Sequence, residues 1–516
     1  MRMFIAAILC VCVQAAEPLK LTQAEYEDRI AGAWNGQIIG TLMGFQFEGQ
    51  RASAERVFVD SYPHKIEAAP VDDDYYYELV ALRAFEKYGV HMTLDQLGAQ
   101  WKEDEAGTWG SSEQTRLALL KGVPGSQAGL PRYNKLWWTI GPQFSGDIYG
   151  MIAPGDANLA GALARKYSHI NGYAEGADGG VFVAGLVSLA FRESDPHEIV
   201  RQAAKLIHPS SPYRQCLDMV IAMAEQGAPA AQVFRAIEDR WRLEYPPLNN
   251  AVPNGGIVAA SVWYGEGDYL KTVNLAYHAA DFSDADCNAA NAGAVVGAMH
   301  GMKALPRHLV EPLNDRIAGP NLGPVKFTKP VDERISGIVR RIAALGRKIL
   351  GAGGGDLVVP WRDVRTQPAE RFELADFAKE WDPAWTLNRA GFGIGGGRCP
   401  RGTYIDGDVL ATWPRDEARG LVFRRTAQAG AAPRLELEVA ADPGCAWQLE
   451  VFANNANVLR RTIESGAGAP ARQWQAIQVD LAAFAGREVE LRVYQRTILP
   501  ETLDTGNAYW RRMRLQ

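Results

Sequence analysis

Gly351-Ala352-Gly353-Gly354-Gly355 divides the chain into two differently patterned halves. Four glycines in five residues read as a flexible joint. Before it, apolar residues recur at the helical period. Tyr26 to Leu42 places Ile30, Ala33, Trp34 and Ile38 in helical register. Tyr75 to Tyr88 is a second helix, ended by Gly89. Val181–Phe191, Pro196–Ile207, Gln215–Gln226 and Ala230–Arg240 follow in the same style. Ala289 to Met302 is rich in Ala and Gly, small enough to lie against another helix. Asp332 to Leu350 is amphipathic and closes the unit. After the joint the period falls to that of strands. Leu435–Val439, Trp447–Phe452 and Val489–Tyr494 alternate apolar and polar residues, with Gly, Pro, Asn and Asp between them. The expected organisation is multidomain: an all-α bundle over residues 17–350, a linker over 351–374, and an all-β sandwich over 375–516.

Bulk properties narrow the function. At 516 residues the chain is long enough for two or three domains. A hydrophobic share of 47% with 22% charged residues is that of an ordinary globular protein. The net charge of -6, without a basic run, argues against a nucleic-acid partner. Residues 1–16 read as a signal peptide: Arg2, an apolar stretch from Met3 to Val13, and Val13-Gln14-Ala15 as a cleavage site. The expected location is therefore secreted or periplasmic. No stretch has the apolar length of a membrane span. Cys10 and Cys12 leave with the leader. Cys216, Cys287, Cys399 and Cys445 are too few for a disulfide scaffold, though export would permit Cys399 and Cys445 to pair. Oligomeric state is not legible.

Two acidic clusters stand out. Asp72-Asp73-Asp74 directly precedes the second helix. One Asp there would serve as an N-cap, but three adjacent carboxylates repel unless solvated or bound to a cation. Asp284-Ala285-Asp286-Cys287-Asn288 precedes the Ala/Gly-rich helix. Residues at i and i+2 do not share a helix face, so Asp284 and Asp286 converge only where loop turns into helix. Hard oxygen ligands at such a place suit Mg²⁺ or Mn²⁺. A third acid, Glu48, ends the Gly-punctuated loop Gly40 to Gly49. Alone, it reads as a solvated loop carboxylate.

Three segments in this order resemble the ADP-ribosylglycohydrolase (dinitrogenase reductase-activating glycohydrolase) family. Gly36 to Gly49 is similar to its first helix, ending in a Glu. Asp72-Asp73-Asp74-Tyr75 stands in the place of Thr-Asp-Asp-Thr. Asp284-Ala285-Asp286-Cys287 stands in the place of Asp-x-Asp-Thr. The resemblance spans about residues 21 to 345. It implies an all-α fold and two Mg²⁺ or Mn²⁺ ions. Asp73, Asp74, Asp284 and Asp286 would be ligands, with Asp72 and Cys287 in ligand positions. Glu48 would be a ligand or orient the attacking water. Glu48, Asp73 and Asp284 are the catalytic candidates. Gly155, Asp156 and His169 resemble the family's substrate-contacting loops, although His169 suits a structural role equally. Three departures stand out: Asp72 and Tyr75 replace Thr, and Cys287 puts a soft thiol where a hard cation would favour oxygen. Residues 375 to 516, with Asp480–Arg487 and a closing Tyr509-Trp510, resemble jelly-roll accessory modules of secreted carbohydrate enzymes. There, sugar binding and a purely structural lid weigh equally.

The expected function is metal-dependent cleavage of a glycosidic bond to a ribosyl-like sugar. Export and the β tail favour a second reading, hydrolysis of a furanoside in an extracellular glycan. A third is a catalytically inactive sugar-binding protein, against which the intact Asp pairs count. The expected partner is a small-molecule or glycan substrate.

Overall fold

A computed structural model describes residues 17–48, 58–244, 249–278, 283–321, 331–373, 375–387, 402–413, 421–498 and 506–516. The expected leader and Cys399, with its suggested bond to Cys445, lie outside the described residues.

The first helix, Gln23–Gly44, begins in a capping box. Glu25 N donates to Thr22 Oγ1 at 3.2 Å, and Thr22 N donates to Glu25 Oε2 at 2.8 Å. Every residue from Gly32 to Gly44 is buried. A helix enclosed on all sides belongs to the centre of a domain. Its neighbour is the helix Ala285–His300, and glycines decide how closely the two lie. A Cβ at Gly40 would stand 2.4 Å from the Ala289 carbonyl oxygen, and one at Gly44 would stand 2.7 Å from Asp286 Cα. Gly36 and Gly32 make the same approach one and two turns earlier, against Gly293 and Gly297. This stripe of glycines brings the end of the first helix onto the start of the Asp286 helix.

Helices Glu175–Ala190 and Ala251–Gly265 are also almost wholly buried and complete the centre. Amphipathic helices such as Pro196–Lys205 and Ile335–Ile349 form the outer layer. Two of the boundaries that differ from the sequence reading change the element itself or its burial. The helix expected at Val181 starts at Glu175, because the Gly-rich segment before Val181 is buried and packs as helix. Asp332–Arg334, expected as helix, is a strand antiparallel to Arg316–Asn321. Ala69–Val71 lies parallel to that same middle strand and leads directly into Asp72. The small sheet thus anchors the chain just before the first Asp cluster.

The glycine joint carries hydrogen bonds back to the last helix of the bundle. Arg347 Nη2 donates to the carbonyls of Gly353 and Gly355, each at 2.5 Å. Leu357–Val359 then pairs with Leu19–Leu21. Further on, the chain straps across the helical domain. Gln367 N donates to Leu206 O at 2.9 Å, and Arg365 N donates to Asn158 Oδ1 at 2.8 Å. Arg165 holds both Asp178 of the helical core and Glu370 of the strap.

Among the described residues, the C-terminal domain is a β-sandwich of two five-stranded sheets, and every pairing in them is antiparallel. One sheet runs, in spatial order, Gln475–Asp480, Arg434–Ala441, Ala508–Leu515, Val409–Thr412, Tyr404–Asp406. The other runs Ala456–Glu464, Ala446–Ala453, Glu488–Arg496, Leu421–Gln428, Thr386–Leu387. Alternate residues of each strand face the shared core. Trp510 of the first sheet meets Trp447 and Phe423 of the second at ring-centre distances of 5.1 and 5.0 Å. Trp137 and Trp138 of the helical domain join this core beside Phe377 and Trp385. Among the described residues no helix is long and apolar enough to cross a membrane.

Candidate metal centre

Asp72 is the N-cap of the helix Asp73–Tyr88; its carboxylate accepts from Asp74 N at 3.1 Å. Asp284 is the N-cap residue of Ala285–His300, but its carboxylate makes no cap hydrogen bond and is left to face inward. Asp286 lies in the first turn of that helix, so the loop-to-helix transition does bring Asp284 and Asp286 together. The two helix starts converge. Ligand atoms of Asp72, Asp74 and Asp286 lie within 4.8 Å of one another, as do those of Asp284, Asp286 and Cys287. Asp286 belongs to both groups. Two adjoining groups with one shared carboxylate are a donor set that could hold metal. The N-terminal dipoles of both helices point at these carboxylates and partly offset their charge.

The electrostatics show what such a cluster lacks. Asp72, Asp74 and Asp284 have pKa values well above the carboxylate range, first from burial and then from neighbouring carboxylates. Asp286 is raised by burial. Asp73, half-buried at the helix start, is pushed up to about 7 by burial and the charge of Asp286. Its carboxylate is not among the atoms within 4.8 Å. The Cys287 thiol is raised by burial and four surrounding Asp residues, which keeps it protonated. Its S–H assists the Asp74 and Asp284 carboxylates as a hydrogen-bond donor. Glu48, exposed at the end of the first helix, adds its charge to those acting on Asp284.

Three further residues position the carboxylates. Thr41 Oγ1 donates to Asp74 Oδ2 at 2.8 Å. Asn249 Nδ2 donates to Asp284 Oδ2. Asn254 Oδ1 accepts from Asp284 N at 3.2 Å and from Asn288 Nδ2 at 2.8 Å. Asn249 also accepts, through its backbone oxygen, from Ile140 N at 2.8 Å, two residues from Trp138 in the β-domain interface. Sequence reading missed these three. Thr41 lies near the end of the first helix among small and apolar residues, and Asn249 and Asn254 flank a helix start with no pattern to mark them.

The other candidates lie apart. Gly155, at φ 70°, turns the chain into the helix Ala157–Ser168, and its N–H donates to Ser188 O at 2.8 Å. Asp156 caps that helix by accepting from Leu159 N at 3.1 Å, and pairs with Arg362 of the strap. His169 pairs with Glu370 of the strap at 2.8 Å. None of their hydrogen bonds or ion pairs reaches the Asp groups.

The ADP-ribosylglycohydrolase family model matches residues 22–347. The chain belongs to the ADP-ribosylglycohydrolase family. It is thereby a glycohydrolase-type enzyme, and its acidic groups are ones that could hold metal. A solved structure described as an ADP-ribosylglycohydrolase-related protein complex is 17% identical, with a TM-score of 0.41, over 63% of this chain and 99% of that one. The secreted serine protease VesC from Vibrio cholerae matches at 14% identity and a TM-score of 0.20, over 32% of this chain and 31% of that one. A CBM4 structure matches at 15% identity and a TM-score of 0.19, over 26% of this chain and 85% of that one. Comparison with curated proteins gave no match.

Proposed function

We propose that this glycohydrolase cleaves a glycosidic bond to a ribosyl-like sugar with the help of two Mg²⁺ or Mn²⁺ ions. The observation that carries the reading is the shared Asp286, which joins the two acidic groups into one centre. Asp72, Asp74 and Asp286 would hold one ion, and Asp284, Asp286 and Cys287 the other, with Asp73 beside them. Such a pair supplies charge stabilisation at the anomeric centre and acidifies water. The chain's own residues do the rest. Thr41 and Asn249 fix the carboxylates of Asp74 and Asp284. Glu48, exposed and acting electrostatically on Asp284, would take the proton of the attacking water. Burial of the cluster keeps bulk water from screening it.

A second substrate, a furanoside within a glycan, is favoured by the attached β-sandwich and by the leader-like N-terminus, which argues for export. A panel of ADP-ribosyl conjugates and aryl furanosides, each assayed with Mn²⁺ and with EDTA, tests both. Metal-dependent turnover of a ribosyl substrate supports the first reading. Turnover of furanosides alone moves the assignment to the second, and turnover indifferent to EDTA rejects the metal mechanism.

A further inference from the structure

One helical turn beyond Asp74, about 6 Å along the same helix, lies a second buried acidic pair that the proposed centre does not use. Glu78 comes from the helix Asp73–Tyr88, and Asp147 from the short helix Asp147–Met151. Gln37 of the first helix and Asn291 of Ala285–His300 lie with them. All four side chains are 0% exposed. Gln37 Nε2 donates to Glu78 Oε2 at 3.4 Å, and Asn291 Nδ2 donates to Asp147 Oδ2 at 2.7 Å. The amides have thus turned their N–H groups to the carboxylates. What remains is a set of acceptors: Gln37 Oε1, Glu78 Oε1, Asp147 Oδ1 and Asn291 Oδ1 are buried, and each lacks a hydrogen-bond donor.

Four such oxygens from four helices ask for a positive partner. A buried acceptor left unmade costs on the order of 1–3 kcal/mol, and a buried bare charge costs more. No Lys, Arg or His is among the groups acting on Glu78 or Asp147; Glu78 feels only the negative charges of Asp147 and Asp74 beside the amide of Gln37. Neither carboxyl donates to or accepts from the other, and burial raises both above the usual carboxylate range. Two carboxylates and two amide carbonyls are the donor types of a hard divalent cation, whose charge the two acids balance.

We infer that Glu78, Asp147, Gln37 and Asn291 form a separate buried site for a divalent cation, which ties together the four helices beneath the proposed catalytic centre. This inference does not depend on the reading of the Asp72 and Asp284 groups. Its test is an anomalous difference map from crystals of the full chain equilibrated with Mn²⁺. The expected result is a peak between Glu78 and Asp147, distinct from any at Asp72, Asp74, Asp284 and Asp286. In the double variant Glu78→Gln/Asp147→Asn that peak disappears, and metal analysis shows one equivalent fewer per chain. A wild-type map without density between Glu78 and Asp147 overturns the site, whatever the double variant does. Metal content unchanged in a folded double variant overturns it as well. Density there with none at the Asp groups would uphold this site and strike the proposed function instead.

Discussion

Cys287 puts a sulfur within 4.8 Å of ligand oxygens of Asp284 and Asp286. A protonated thiol is a weak donor to a hard cation. Cys287→Ser should tighten Mg²⁺ binding by up to about tenfold, or 1.4 kcal/mol; a titration showing unchanged or weaker binding would remove Cys287 from the centre. Asn249 acts at one remove, by holding Asp284. Loss of such a supporting donor typically costs about 10–100-fold in metal affinity or activity. That drop is expected for Asn249→Ala, with the melting temperature nearly unchanged. The difference between these residues and the Asp clusters explains what the sequence made legible. Three consecutive Asp residues, or Asp-x-Asp before a helix, violate the ordinary behaviour of like charges and so attract notice. Asn249, Glu78 and Asp147 are single polar residues in unremarkable surroundings, and their importance arises only from distant segments brought together.

Element by element, the close approach of the first helix to Ala285–His300 sets the site. The Ala/Gly content of the later helix already pointed to a tight partner; the partner itself follows only from the fold. Gly40→Ala would drive a methyl to 2.4 Å from the Ala289 carbonyl. Overpacking of this kind costs about 1–3 kcal/mol. Urea unfolding should show that loss, together with weaker metal binding as the Asp286 turn is pushed from the Asp72 helix. A substitution tolerated on both counts would contradict the glycine-set spacing. The strand Ala69–Val71 was not legible, because three residues carry too little periodicity and their partner strand lies far along the sequence.

For the molecule as a whole, the helical bundle precedes the change of period at Gly351 and the strands of the sandwich follow it. What it concealed was the strap. Composition alone suggested a loose joint, whereas Arg165, Glu370 and His169 are charged or titratable groups whose pairing depends on tertiary contact. The interface through Trp137 and Trp138 likewise joins residues more than two hundred positions apart. Stability should follow the acidic centre. Asp72, Asp73, Asp74, Asp284 and Asp286 all have raised pKa values in the folded chain. Unfolded carboxylates titrate near 4, so the folded state binds more protons above that pH. Their contribution to the stability of the chelated protein is therefore full below about pH 4 and lost as pH rises through the folded values, about 7 for Asp73. The gap in melting temperature between Mn²⁺-loaded and chelated protein should widen over that window; a constant gap would mean that cations do not bind these carboxylates.

On the proposed reading one carboxylate, Asp286, would serve both groups of a metal-dependent glycohydrolase. Turnover of a ribosyl substrate, followed as Mn²⁺ is returned to EDTA-treated protein, tests it most directly when wild type and Asp286→Asn are run together. Wild type is expected to lose activity in EDTA and to regain it with Mn²⁺. Asp286→Asn, still unfolding cooperatively, should stay inactive at every Mn²⁺ concentration. Wild-type turnover that survives chelation, or an Asp286→Asn enzyme that recovers with Mn²⁺ as wild type does, would contradict it.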